Sequence, residues 1–270
     1  MHEPTPSRST AVLTTFRLIA SITGDPRRVL RAVRGIRPYI RNLIAFARSQ
    51  SATDASLRLN LRHLYPCLTD RYEDGGTASG HYFHQDIWAA RRIHEAEPAE
   101  HYDVGSRVDG FIGHLLAFRE VTVIDIRPIT SSQPGLHFLQ ASVLNLPLPS
   151  GAVPSLSSLH AMEHVGLGRY GDPVDPSAYF VGMRELARVL APGGRLYFSV
   201  PIGRQRVEFD AHRVFDPRTI VEAFSDLRLV EFSAVDDSGA FEEHAAMDAF
   251  RSSWYSCGLF VFERPWLIRN

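Results

Sequence analysis

The chain contains no lysine; all 29 of its basic residues are arginine. Without an ε-amine there is no Schiff-base nucleophile and no tunable lysine base, which excludes aldolase-type and pyridoxal-phosphate chemistry. Cysteine is almost as scarce. Cys67 and Cys257 stand far apart and outside any CxxC spacing, so neither a disulfide framework nor a zinc ribbon is expected, and a reducing, cytoplasmic compartment fits best. Long apolar runs are missing too. The first stretch, AVLTTFRLIASITG, is broken by Arg17 and lacks the charged lead-in and cleavage pattern of an export signal. No later run approaches the roughly 18 apolar residues of a membrane span. Internal repeats and low-complexity tracts are also absent, and the turn at Gly105 does not follow the dinucleotide pattern GxGxxG.

What is present is enough for one substantial core with an appendage: 270 residues, 44% hydrophobic and 22% charged. The formal charge of −1 conceals a division, because residues 1–50 carry nine Arg against Glu3 and Asp25 and leave the remainder acidic. Within that basic head, residues 27–48 set Val29, Val33, Ile36, Ile40, Leu43 and Ala47 at helical spacing, with Arg27, Arg31, Arg34, Arg41 and Arg48 elsewhere on the wheel. Gly35 and Pro38 predict a break into two shorter helices. Such a basic amphipathic segment permits packing on the body, peripheral contact with an anionic membrane, or a partner protein. Nucleic acid is not an expected partner, since the acidic body repels phosphate. We therefore expect an Arg-rich helical extension over residues 1–56 and one domain over residues 57–270.

Residues 57–99 read as a helical lead-in, interrupted by the turn EDGGTASG at 73–80 and resumed in HYFHQDIWAARRIHEA, where Trp88 and Ile93 belong to the core. From Tyr102 onward, apolar runs alternate with helical patterns: YDVG, VTVID, LHFLQA, PSLSSLH, RLYFSV, LRLVEFSAV and CGLFVFE. Strands separated by helices indicate a parallel sheet covered on both faces. The last two runs are joined by a turn-rich polar connection and are expected to pair antiparallel. The first two runs form a ligand cradle: the turn at Gly105 admits a ligand to the backbone, and a helix beginning near Val108 points unpaired N–H groups at it. Asp125, twenty residues after Gly105, ends the second strand, where a carboxylate meets ribose hydroxyls. An adenosyl ligand suits this geometry.

Two further segments narrow the ligand, LNLPLPSGAVPSLSSLHAMEHV at 144–165 and ELARVLAPGGRLYFSVPIG at 185–203. Together with the cradle they resemble the class I S-adenosylmethionine-dependent methyltransferases over roughly residues 80–264. Asp103 and Gly105 match the first cofactor motif, Asp125 the ribose acid, LHAMEHV the apolar fourth strand with its trailing Met-Glu-His, and ARVLAPGGRLYFSVP the helix, turn and fifth strand. A narrower resemblance, carried by YFHQDIWAARRI, DVGSRVDGF, EHVGLGRYGDPVDP, VPIGRQRVEFDAHRVF and CGLFVFER, is to the domain-of-unknown-function 268 family. The resemblance implies a three-layer Rossmann-like α/β fold with a seven-stranded, mostly parallel sheet and an antiparallel last strand. It implies S-adenosyl-L-methionine as cofactor, bound by Asp103, Gly105, Ser106, Arg107, Asp125, Ile126, Ser142, Val143 and His160, and a small-molecule or glycan acceptor. Arg107 and Asp109 stand where the superfamily usually has glycine, and Ser142 where an aspartate commonly meets adenine. Arg107 either forks onto the methionine carboxylate or pairs with Asp109 or Glu120 at the surface.

Methyl transfer from a sulfonium needs in-line approach and a dry site, and a base only when the acceptor is a neutral hydroxyl. His160, Glu163 and His164 at the end of the fourth strand, with Tyr170, Asp172 and Asp175 in the next loop, are the candidates. His164 is the expected base and Asp172 its companion on the acceptor side. GLGRYGDPVDP is expected to form an ordered loop over the pocket, and Glu208, Asp210, His212 and Arg213 lie on the crevice side after the fifth strand. Tyr82, Phe83, Gln85 and Asp86 are placed to cross the methionine end. Three other readings stand beside this one. HAMEH spells H-x-x-E-H, in which His160 and His164 would bind zinc and Glu163 act as base if the segment were helical; otherwise no metal ligands are assigned. A non-catalytic adenosyl-binding or scaffolding protein of the same fold is the second, and a nicotinamide oxidoreductase the third.

Overall fold

The computed structural model describes residues 26–49, 57–76 and 78–266; the stretch AVLTTFRLIASITG lies outside them. Contacts divide the chain into two units, Met1–Thr77 and Ala78–Asn270.

In the first unit, α1 (Pro26–Ser49) is one continuous helix with Pro38 inside it, not the two short helices expected. Proline at 38 removes the N–H that would bond the carbonyl of Arg34. That carbonyl is not orphaned, because the Tyr72 hydroxyl donates to it at 3.1 Å. Gly35 serves close approach rather than a break: a Cβ there would lie 1.9 Å from the Leu68 carbonyl oxygen. On the helix, Val29, Val33, Ile36, Ile40 and Ile44 form an exposed apolar stripe. The helical lead-in expected after residue 57 is replaced by two short 3-10 turns, Leu61–His63 and Asp70–Tyr72. Pro66 lies between them and prevents a longer helix from propagating.

The second unit opens with α2 (His81–Ala96), and all seven expected apolar runs then become strands. They are β1 (Tyr102–Val104), β2 (Val121–Asp125), β3 (Leu136–Gln140), β4 (Val153–Leu159), β5 (Leu190–Ile202), β8 (Arg228–Val235) and β10 (Ser256–Glu263). Between them lie α3 (Ala178–Val189), a small hairpin of β6 (Arg206–Glu208) and β7 (His212–Val214), and α4 (Pro217–Ala223). A two-residue strand, β9 (Phe241–Glu242), makes the sheet eight-stranded in the order β3-β2-β1-β4-β5-β10-β8-β9. The pairs among β1 to β5 are parallel, and β10 runs antiparallel to both β5 and β8.

Strand periodicity explains how both faces are covered, since successive side chains point to opposite sides. Leu196, Phe198, Val200, Phe260 and Phe262 pack with Met183 and Leu186 of α3 and Phe224 in one cluster. Their neighbours Tyr197, Leu259 and Val261 pack on the other face with Trp88 and Ile93 of α2 and with Phe111 and Leu115. Each fully buried side chain of this size contributes about 1.5–3 kcal/mol. Trp88 is also anchored by its indole N–H, which donates to Glu231 at 3.0 Å.

Candidate cofactor cleft

Chain order reverses between β1 and β4, so their carboxyl ends splay apart and open a crevice at the sheet edge. A half-open cleft lies there, where open α/β sheets bind small molecules. Its lining comes from the carboxyl ends of the strands and the residues that follow them: Gly105, Asp125 and Ile126, Ser142 and Val143, and His160, with His164, Tyr170 and Asp172 added by the loop after β4. Gly105 adopts φ +74°, a left-handed conformation open to glycine, and an added Cβ would press on Ala161 at 3.1 Å. Val108–Ile112 comes next as one π-helical turn, continued by Gly113–Leu115. Gly110 is needed inside that turn because Asp86 approaches it; a Cβ there would sit 2.5 Å from the carboxylate.

Asp103 does not reach the cleft. It is fully buried beneath the turn, where it accepts from Ser106 N at 3.0 Å, Ser106 Oγ at 2.5 Å and Ser157 Oγ at 2.6 Å. Ser106 Oγ in turn accepts from Leu159 N at 2.9 Å, which ties β1 to the end of β4. His101 completes the chain, its two ring nitrogens meeting Ser155 Oγ at 2.8 Å and Ser157 Oγ at 3.0 Å. The side-chain polar atoms of Asp103 and Ser106 thus shape the turn.

Burial pushes the Asp103 carboxyl up to about 6 against the pull of its hydroxyl donors, and burial pushes the His101 imidazole down to about 3. The signs oppose. Asp103 contributes stability that is present below its unfolded value of about 3.9 and lost as pH rises through about 6. His101 costs stability as pH falls below about 6.5, where the unfolded chain takes up a proton that the folded chain refuses. An Asp103→Asn variant removes the first contribution only. We expect the melting temperature of the wild type to gain roughly 5–10 °C relative to that variant between pH 7 and pH 4, from a linkage on the order of 2–3 kcal/mol. A difference that stays constant with pH would show that Asp103 is ionised throughout.

Asp125 does reach the cleft, but it is already engaged. Arg127 forks onto it, Nε at 3.1 Å and Nη2 at 3.0 Å, and its backbone N–H adds a third bond at 2.8 Å. The guanidinium lies over the Tyr170 ring at 4.5 Å and is half-exposed. Arg127 escaped the sequence reading, although an arginine two residues after a candidate ribose acid was a usable signal. Arg107 pairs with Asp109 at 2.7 Å and lies over Tyr82 at 5.3 Å, which is the surface alternative rather than the carboxylate fork. Ser142 Oγ accepts from Leu144 N at 3.2 Å.

The loop after β4 is ordered by its own side chains. Asp172 accepts from Gly166 N at 2.5 Å and from Tyr170 N at 3.4 Å, so both oxygens brace the loop while the residue lines the cleft. Buried Arg213 donates to the carbonyls of Glu163, Val165 and Pro176. His164 is different. Its Nδ1 meets the Ala211 carbonyl at 2.7 Å, so that nitrogen carries the proton and Nε2 keeps its lone pair. Burial holds this imidazole below its ordinary range, against the pull of Glu163. The segment 160–168 is turns rather than helix, so H-x-x-E-H does not present two histidines on one helical face. Glu163 stands between them instead, 2.9 Å from His160 Nδ1 and 3.7 Å from His164 Nε2.

Residues 102–198, which run from β1 into β5, match the family model described as "Methyltransferase domain". Over those residues the chain is similar to methyltransferase domains. Residues 152–246 also match the model described as "Caenorhabditis protein of unknown function, DUF268". No curated protein matches the chain. Among solved structures, the Burkholderia thailandensis 1,6-didemethyltoxoflavin-N1-methyltransferase is 16% identical with a TM-score of 0.49, covering 67% of this chain and 78% of its own. The N-methyltransferase NodS of Bradyrhizobium japonicum WM9 is 14% identical with a TM-score of 0.47, covering 73% and 92%. The [4+2]-cyclase SpnF is 14% identical with a TM-score of 0.47, covering 67% and 81%.

Proposed function

We propose that this methyltransferase domain transfers a methyl group to a hydroxyl of a small or glycan-like acceptor. The observation that carries the reading is His164, a neutral imidazole in the cleft wall whose Nδ1–H is held by a backbone carbonyl and whose Nε2 is left as a base. S-adenosylmethionine, when bound, supplies an electrophilic methyl on a sulfonium. The chain's residues suit that cofactor: Asp125 accepts from the ribose diol once Arg127 swings outward, Gly105 admits the ligand to the backbone, and Ile126, Val143, Leu144 and Met162 provide apolar walls for adenine. Exposed Tyr82 and Tyr170 flank the mouth and offer flat faces to a sugar ring. The test is radiolabelled methyl transfer to a panel of hydroxyl, carboxyl and amine acceptors. Label in hydroxyl products supports the reading, and label confined to amines overturns it.

We also propose that α1 docks the protein peripherally on anionic membrane. Its exposed apolar stripe would enter the headgroup boundary while its arginines face lipid phosphates. Among the described residues no helix is long and apolar enough to cross a membrane. Co-sedimentation should show binding to phosphatidylserine vesicles, weakened by salt and lost on paired Ile36→Glu and Ile40→Glu substitution. Equal recovery in the supernatant with anionic and neutral vesicles would overturn the proposal.

A further inference from the structure

Beside the cleft, three residues from widely separated parts of the chain converge behind His160. His81 opens α2, His160 comes directly after β4 and Cys257 lies in β10, and their potential ligand atoms all lie within 4.8 Å of one another. His160 Nε2 stands 3.2 Å from Cys257 Sγ. The His81 and His160 ring centroids are 5.6 Å apart. On its far side, His160 is held at Nδ1 by Glu163 at 2.9 Å. We propose that His81, His160 and Cys257 ligate a zinc ion, with Glu163 as the positioning residue that orients His160.

The chemistry favours zinc among divalent ions, since one thiolate and two imidazoles form a borderline-soft set. A tetrahedral zinc places its sulfur and nitrogen ligands about 3.5 Å apart, close to the 3.2 Å between His160 Nε2 and Cys257 Sγ. Glu163 reproduces the carboxylate–histidine–metal relay in which a buried acid fixes the ring and raises its basicity. A separate observation points the same way. Glu163 is fully buried, and its second oxygen, Oε2, has no hydrogen-bond partner. His160 satisfies only one of the two carboxylate oxygens, and a dication on the same imidazole adds to the positive charge that holds the acid in place. His160 is also held at φ +49°, so the backbone is strained at the residue that joins this cluster to the cleft. Three protein ligands leave a fourth position for water, reached from the groove that His81 lines with Trp254 and Tyr255. This set differs from H-x-x-E-H: it omits His164 and does not use Glu163 as a ligand.

The proposal is independent of the methyltransferase reading, because the test needs neither cofactor nor acceptor. Full-length protein purified without chelator should contain one zinc per chain. After stripping, titration with cobalt(II) should give tetrahedral visible bands and a thiolate charge-transfer band. Cys257→Ser should abolish that band, Cys67→Ser should keep it, and His81→Ala should weaken cobalt binding by roughly 100-fold or more. Glu163→Gln should weaken it by roughly 10–100-fold, and His164→Ala should leave it intact. Should a variant misfold, X-ray absorption of the wild-type zinc decides instead, with one sulfur at about 2.3 Å and two imidazole nitrogens at about 2.0 Å. Absence of zinc and cobalt binding by reduced wild-type protein, a first shell without sulfur, or loss of metal in His164→Ala overturns the site.

Discussion

Asp125→Ala is expected to weaken S-adenosylhomocysteine binding by at least about 100-fold, measured by calorimetry. A carboxylate accepting from two ribose hydroxyls makes two charge-assisted bonds, each worth about 1.5–3 kcal/mol. Displacing Arg127 from the same oxygens offsets part of that gain. The guanidinium is half-exposed and can be rehydrated outside the cleft, so the offset is small beside the loss of both diol contacts. The side chain is only 8% exposed at the end of β2, and removing it should leave the sheet intact. A variant that folds and binds with affinity changed by less than about 10-fold would remove Asp125 from the ribose site.

His164→Ala is expected to lower kcat toward a hydroxyl acceptor by about 10²–10⁴, the usual worth of a positioned base, with cofactor affinity unchanged. Its Nδ1–H···O=C bond to Ala211 fixes both the ring and the tautomer. The loop that carries it is braced independently by Asp172 and Arg213. The substitution should therefore remove a base without releasing the loop. An acceptor already ionised at neutral pH would need no base, so undiminished turnover in His164→Ala would point to a carboxylate acceptor.

The elements whose determinants are local were readable from sequence. Seven apolar runs became seven strands because each is short, apolar and bounded by turn or helical sequence, and the Gly105 turn and Asp125 fell where β1 and β2 end. Other features depend on partners that a residue's own type does not reveal, most of them distant in the chain. Pro38 looked like a helix breaker because nothing near it reveals that Tyr72 satisfies the carbonyl it strands. Asp103 looked like a cofactor ligand because a carboxylate in β1 reads the same whether it faces the cleft or the core; Ser157 and His101, brought beside it by parallel pairing, decide that it faces inward. Asp172 was read for its chemistry, whereas its oxygens are held by N–H groups of its own loop. Cys257 stood alone in the sequence and acquires neighbours only when β10 inserts between β5 and β8, bringing it against His160.

In this proposal the nucleoside of S-adenosylmethionine occupies the crevice at the carboxyl ends of β1 and β4, with its ribose on Asp125 at the end of β2. A crystal structure of the protein saturated with S-adenosylhomocysteine tests it most directly. The account predicts both ribose hydroxyls within hydrogen-bond distance of the Asp125 carboxylate, Arg127 turned away from it, and the sulfur directed toward His164. Density showing Arg127 still forked onto Asp125 and the nucleoside absent from the crevice would contradict it.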